Sequence, residues 1–247
     1  MNTKLNITYG PYPAPDNLLD LYWPEGGADS VFIFFHGGGL ENGSKAISEE
    51  GIRFFTDRGI AIASANYRMY PQARFPEYIV DCARAVHWVM TEGRALAGFK
   101  KVYIGGSSAG GYLSMMLLCD RHYLDAHGIH AWDIDGYVLD AGQPTSHFNV
   151  LRERGADTRL VRIDETAPIY FIDKDYPADR PLPQLLIFAA DHDMYNRLEQ
   201  THLFIRTLTH FRYPEDHIRF DLMENCTHTQ YTWKEDFCSR VADWMGK

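Results

Sequence analysis

No stretch of this sequence stays apolar for the roughly 20 residues that a membrane-crossing helix needs. The opening MNTKLNITYG lacks the apolar core of a secretory leader, so the chain reads as cytoplasmic. Basic residues are in deficit: 24 Lys and Arg stand against 33 Asp and Glu, a net charge of −9. A chain of that sign gains nothing from a phosphate backbone, which argues against nucleic acid as a partner. Cysteine is scarce, and Cys82, Cys119, Cys226 and Cys238 are scattered without metal-ligand spacing. They read as reduced, small hydrophobes. His122, His127 and His130, and the run Asp191-His192-Asp193, match no ligand frame either, so no metal is expected. Internal repeats and low-complexity linkers are also missing. The 247 residues therefore read as one domain, 1–247, with ample length for a sizeable core.

What the chain does have is alternation. Apolar runs of strand length, VFIFFH (31–36), IAIASANY (60–67), KVYIG (101–105), GYVLDA (136–141), QLLIFAA (184–190) and IRFDLM (218–223), are separated by helix-period stretches. Helices are expected within 47–59, over 76–90 and 197–208, and as a closing helix over 231–245. Uninterrupted apolar strands between helices imply a mainly parallel twisted sheet of about eight strands, covered on both faces. The two opening strands, around NITYG and NLLDLYW, look like an antiparallel hairpin joined to it. Residues 142–183 connect two strands without a clear single helix. A connection of that length reads as a lid or substrate insertion within the domain.

The densest signal is GGSSAGGYLSMM. Gly106-Ser107-Ser108-Ala109-Gly110 has the form G-x-S-x-G, placed between an apolar strand and an apolar helix. The turn it describes is so sharp that side chains two residues either side of Ser108 would collide, and glycine removes them. Such a turn lifts the Ser108 hydroxyl above the carboxyl edge of the sheet, where α/β folds place ligands. Ser107 lacks the flanking glycine pair and is the poorer candidate.

A serine hydroxyl is a weak nucleophile until a base takes its proton. Of the late histidines, His202 and His210 fall in or at the end of a helical pattern and His217 precedes a strand. His228 alone follows a strand directly, in MENCTHTQ. The orienting carboxylate should follow QLLIFAA, where Asp191 and Asp193 stand; Asp193 is favoured because it lies further into the loop. The other would cap the loop. Backbone donors for a developing oxyanion are expected at Ala109, and at Gly37 and Gly38 in HGGG (36–39).

These residues carry a resemblance. HGGG, NGSK, NYRMYPQARFPEYIVDCARAVHWV and GGSSAGGYLSMM are similar to the α/β-hydrolase-fold serine esterases of the hormone-sensitive-lipase and acetyl-esterase type, most of all to short bacterial carboxylesterase or feruloyl-esterase-like members. It is strongest over about residues 31–120. It implies an α/β-hydrolase fold with Ser108 as nucleophile, His228 as base and Asp193 as acid. Gly37, Gly38 and Ala109 would be the oxyanion donors, His36 would orient its loop, and Arg68 and Asp81 would be structural. The chain departs from the pattern in lacking N-terminal lid helices, in having Asn225-Cys226-Thr227 before His228 where relatives often carry glycine, and in having Met194-Tyr195 where many have Pro-Leu. The leading expectation is a serine carboxylesterase for small, short-acyl esters, without cofactor, acting on a small molecule and open to homo-oligomerisation. An amide or formamide hydrolase or peptidase on the same scaffold, of the kynurenine-formamidase kind, is the alternative. A non-catalytic binding relative comes third; such proteins commonly lose the base.

Overall fold

The computed structural model describes residues 1–173 and 175–246. The chain opens with an antiparallel hairpin, β1 (Asn2–Thr8) and β2 (Leu18–Trp23), followed by β3 (Ser30–Phe35) and α1 (Glu49–Thr56). Then come β4 (Ile60–Ala65), α2 (Glu77–Trp88), α3 (Arg94–Ala97), β5 (Lys101–Ser107), α4 (Ala109–Cys119), α5 (His122–Asp125) and β6 (Gly136–Asp140). The chain closes with α6 (Phe148–Glu153), β7 (Gln184–His192), α7 (Arg197–His210), β8 (Ile218–Thr227) and α8 (Glu235–Met245). The strands form one eight-stranded sheet in the order β1-β2-β4-β3-β5-β6-β7-β8. From β4 to β8 neighbouring strands are parallel, while β1 and β2 join antiparallel at one border. This is the expected α/β-hydrolase architecture.

Side-chain alternation explains why the strands read as continuous apolar runs. Val31, Ile33 and Phe35 of β3 point into the core beneath α2, α4 and α7; Phe32 and Phe34 point into the opposite core, with Phe55 of α1 and Phe237 and Val241 of α8. Each such side chain, fully withdrawn from water, contributes about 2 kcal/mol. Helix starts follow local chemistry: Ser48 accepts from the Gly51 N–H at 3.2 Å, and Glu49 and Glu50 occupy the first turn of α1. Arg68, just past β4, donates from Nε to the fully buried Asp81 of α2 at 2.7 Å and from Nη1 to Glu77 at 2.9 Å. The ion pair ties α2 to the sheet.

Several elements depart from the sequence reading. The helix expected over 76–90 passes into a wider π turn, Val89–Gly93, before α3. The last strand runs on to Thr227, beyond the apolar IRFDLM. The closing helix begins at Glu235 rather than 231, because Thr229 and Trp233 both take left-handed backbone angles (φ 56° and 63°) that no helix admits. Residues 142–183 contain α6 and a short 3-10 turn, Pro168–Phe171. Among the described residues, no helix is long and apolar enough to cross a membrane.

Candidate active site

The residues singled out from spacing sit at the carboxyl ends of β3, β5, β7 and β8, on one edge of the sheet. Ser108 follows β5 with φ 56° and ψ −111°, a conformation that costs a non-glycine residue about 1–3 kcal/mol. Its backbone is held by a hydrogen bond from the Ser108 N–H to the Asp140 carbonyl at 2.8 Å. The turn is as tight as the motif predicts, and the obstruction is wider than the motif suggests. A side chain on Gly106 would meet the Gly110 backbone at 2.5 Å, but one on Gly110 would come within 1.9 Å of the Phe35 carbonyl oxygen on β3. The glycines thus let α4 pass close beneath the neighbouring strand as well as across the elbow. Although Ser108 occupies the N-cap position of α4, its hydroxyl makes no capping bond.

That hydroxyl lies 2.8 Å from Nε2 of His228, and Nδ1 of His228 lies 2.6 Å from Oδ1 of Asp193. The structure therefore brings Ser108, His228 and Asp193 into one line across 120 residues of sequence. Burial pushes the Asp193 carboxyl up. The hydrogen bond and charge of His228, the Met194 N–H and the nearby Arg197 outweigh that, and hold it below the usual carboxylate range. An ionised Asp193 fixes the proton on Nδ1, leaving Nε2 to face the serine oxygen. Asp191, the other carboxylate considered, accepts from the Asn225 and Cys226 N–H groups at 2.8 and 3.1 Å. Those bonds, the Asn225 one first, pull its pKa down to about 2. It bridges the register shift where β7 meets β8, and its side-chain partner is the neighbouring His192, at 2.9 Å.

The HGGG loop lies against the elbow: a side chain on Gly37 would reach 3.3 Å from the Ser108 Cβ. Gly38 has φ +105°, and a Cβ there would fall 1.9 Å from the Asn42 carbonyl oxygen, so only glycine fits. The Gly37 and Gly38 N–H groups have no hydrogen-bond acceptor among the described residues. The Ala109 N–H is the first of the unpaired donors at the start of α4. His36 stacks on Tyr67 with centroids 4.4 Å apart, and its Nδ1 lies 2.7 Å from the Gly37 carbonyl. Burial lowers its pKa, only partly opposed by that bond, so the ring is neutral and serves the loop's geometry.

Around these atoms opens a cavity of about 600 Å³. Its apolar wall includes Phe34, Trp233, Phe148 and Met194, and its polar wall includes Asn42 and Asn149. Phe148 and Asn149 belong to α6, so the 142–183 segment borders the cavity; the Asn149 amide also donates to the Gly39 carbonyl. Phe148 and Met194 are shared with a second hollow of about 480 Å³, edged by Leu160, Val161 and Tyr195. Spacing gave no reason to single out Phe148 or Asn149. It gave none for Asp140 and Tyr231, which lie behind the site, or for Thr232, which lines the cavity. The one available signal was a carboxylate ending the apolar run GYVLD.

Comparison with known proteins bears on the same elements. Residues 19–131 match the family model BD-FAE. The chain is 30% identical over 128 residues to a probable isoprenylcysteine alpha-carbonyl methylesterase of Arabidopsis thaliana, a match covering 51% of this chain and 30% of that protein. The chain thus spans about a third of the length of the curated relatives it matches. Among solved structures, a truncated carbohydrate esterase from gut microbiota aligns over 100% of this chain and 95% of its own, with TM-score 0.78 and 19% identity. Esterase B from Lactobacillus Rhamnosis (HN001) aligns over 99% of this chain and 84% of its own, with TM-score 0.77 and 16% identity. With its parallel sheet, its serine elbow after β5 and these structural counterparts, the chain has the α/β-hydrolase fold.

Proposed function

We propose that this chain is a serine carboxylesterase acting on small, short-acyl esters. The observation that carries the reading is the unbroken path from Ser108 Oγ through His228 to Asp193, at 2.8 and 2.6 Å, beside unengaged backbone donors. Ser108 Oγ attacks the acyl carbon while His228 Nε2 takes its proton. The carbonyl oxygen, now negative, accepts from the N–H groups of Gly37, Gly38 and Ala109. His228 then passes the proton to the departing alkoxide, which leaves as the alcohol. Water, deprotonated by the same ring, attacks the acyl-enzyme and frees the acid and Ser108. Asp193 keeps the imidazole in the tautomer that this sequence needs.

The cavity supports this choice of substrate class. Apolar surface from Phe34, Trp233, Phe148 and Met194 favours an alkyl or aryl group. A volume of about 600 Å³ is ample for a small ester. We take the 142–183 segment, through Phe148 and Asn149, to be the insertion that shapes this substrate space. A fluorophosphonate probe should label the parent chain and leave Ser108→Ala unlabelled. An ester panel from acetate to decanoate should show kcat/KM falling with acyl length. A folded parent that takes no label, or that turns over N-formylkynurenine or aminoacyl anilides in preference to p-nitrophenyl acetate, would displace the esterase reading.

A further inference from the structure

Asp140 ends β6 with no solvent exposure. Its main-chain carbonyl accepts the Ser108 N–H at 2.8 Å. Its carboxylate reaches the other way: Oδ1 accepts from the Tyr231 hydroxyl at 2.7 Å, and Oδ2 accepts from the Thr232 hydroxyl at 2.6 Å. The Ser107 hydroxyl stands 3.3 Å from that of Thr232 and closes the group. One residue is therefore bonded through its backbone to the serine elbow and through its side chain to the turn that carries His228.

Among the described residues, no Lys or Arg pairs with this carboxylate. Burial pushes its pKa up, and the hydroxyls of Thr232, Tyr231 and Ser107 only partly oppose that. A buried carboxylate satisfied by hydroxyls alone is a poor source of stability, since an apolar residue of similar volume would avoid the desolvation. Its geometry does something an apolar residue could not. A carboxylate can accept two O–H bonds, one on each oxygen, whereas an amide offers one oxygen and a donor. The turn it grips needs gripping. Residues 228–234 leave an edge strand, pass two left-handed residues, Thr229 and Trp233, and fold on themselves through the bonds Gln230 to Thr227, Thr232 to Thr229 and Lys234 to Tyr231, none of which joins the turn to the serine elbow. Asp193 holds the far side of the imidazole ring, and nothing in that contact sets the depth of the backbone from which the ring projects.

We propose that Asp140 is a positioning residue which, through the hydroxyls of Tyr231 and Thr232, sets the distance between His228 and Ser108. The proposal rests on reading those two as base and nucleophile. A misplacement of about 1 Å at such a contact can cost roughly a hundredfold in rate. Loss of one of two tethers is expected to cost less, about tenfold in kcat. Tyr231 and Asp140 do not line the cavity, so KM should stay within about twofold in Tyr231→Phe, whereas Thr232 lines it and Thr232→Val is read through the resonance as well as through kcat.

The test uses the full chain as Thr232→Val, Thr232→Ser, Tyr231→Phe and Asp140→Asn, each checked for folding by circular dichroism. Two readings are taken: kcat and KM on p-nitrophenyl acetate, and the low-field proton resonance of the His228–Asp193 hydrogen bond, identified by its disappearance in His228→Gln. Thr232→Val and Tyr231→Phe should lower kcat about tenfold and shift or broaden the low-field line. Thr232→Ser should restore both, and Asp140→Asn combined with Thr232→Val should lose little more than either alone. An unmoved line in folded Thr232→Val and Tyr231→Phe overturns the proposal, whatever happens to kcat. The resonance needs no substrate. A line that moves in a protein that neither turns over esters nor takes a fluorophosphonate would uphold the positioning and overturn the esterase reading instead.

Discussion

Asp191 and Asp193 are two positions apart, one at the end of β7 and the other just past it, yet their surroundings divide their work. Asp191 spends its oxygens on the N–H groups of Asn225 and Cys226, while Asp193 faces the imidazole of His228 at 2.6 Å. Asp193→Asn should therefore lower kcat by about 10³- to 10⁴-fold with little change in KM, because the amide reverses the tautomer preference of the ring. Asp191→Asn should leave kcat within about threefold and show itself in thermal unfolding. Steady-state kinetics of the two variants on one ester checks both outcomes. A drop in Asp191→Asn as large as in Asp193→Asn would mean that the β7–β8 junction, not the carboxylate facing the ring, governs the base. Ser108, His228 and Asp193 were legible in the sequence because each follows directly on a recognisable apolar strand, and chain order assigns them. Asp140, Tyr231 and Thr232 were not. Their relation spans 91 and 92 residues and exists only once β6 and the turn after β8 lie side by side.

Strands were easier to read than the segments that leave them. Buried parallel strands must be apolar on both faces, so β3 to β7 announce themselves as runs of Val, Ile, Leu and Phe. β8 lies at the border with one neighbour, and its last residues, Glu224 to Thr227, are polar; its true end was therefore invisible to an apolarity rule. The start of α8 was misjudged for a related reason: YTWKEDFCSRVADWM has helical periodicity throughout, but the backbone angles at Thr229 and Trp233 are set by packing, with Trp233 lodged against Phe34 at 4.8 Å between ring centroids. The elbow was the opposite case, since glycine spacing reports a steric fact directly. Gly110→Ala places a methyl carbon 1.9 Å from the Phe35 oxygen, so α4 must shift away from β3. A loss of at least about 3 kcal/mol is expected in urea unfolding, together with loss of probe labelling at Ser108. Wild-type stability and labelling in that variant would show that the elbow is looser than its contacts indicate.

At the scale of the molecule, the site is gathered from four strand ends and the stability of the whole chain bears its electrostatic cost. The pKa of Asp140 is raised by burial in the folded state, so the native chain holds this proton more tightly than the unfolded chain. The linkage sign is then definite: this group favours folding below the ordinary carboxylate pKa of about 4, and that contribution is lost as pH rises through the elevated folded value. Asp193, held low, has the reverse dependence, supporting the fold above the ordinary value and losing that support as pH falls through its own. Taking the difference between Asp140→Asn and the parent cancels the other carboxylates. The urea midpoint of Asp140→Asn should improve relative to the parent as pH rises from about 4 to 8. A flat or declining difference would mean that the hydroxyl partners outweigh burial.

The base also comes in on the border strand, hydrogen-bonded along one side only. Peripheral strands open at a smaller free energy than a domain's centre. Brief excursions that release β8 would take the imidazole with them while β3, β5 and their helices stay closed, so on the proposed esterase reading turnover should fade under mild stress before the shape does.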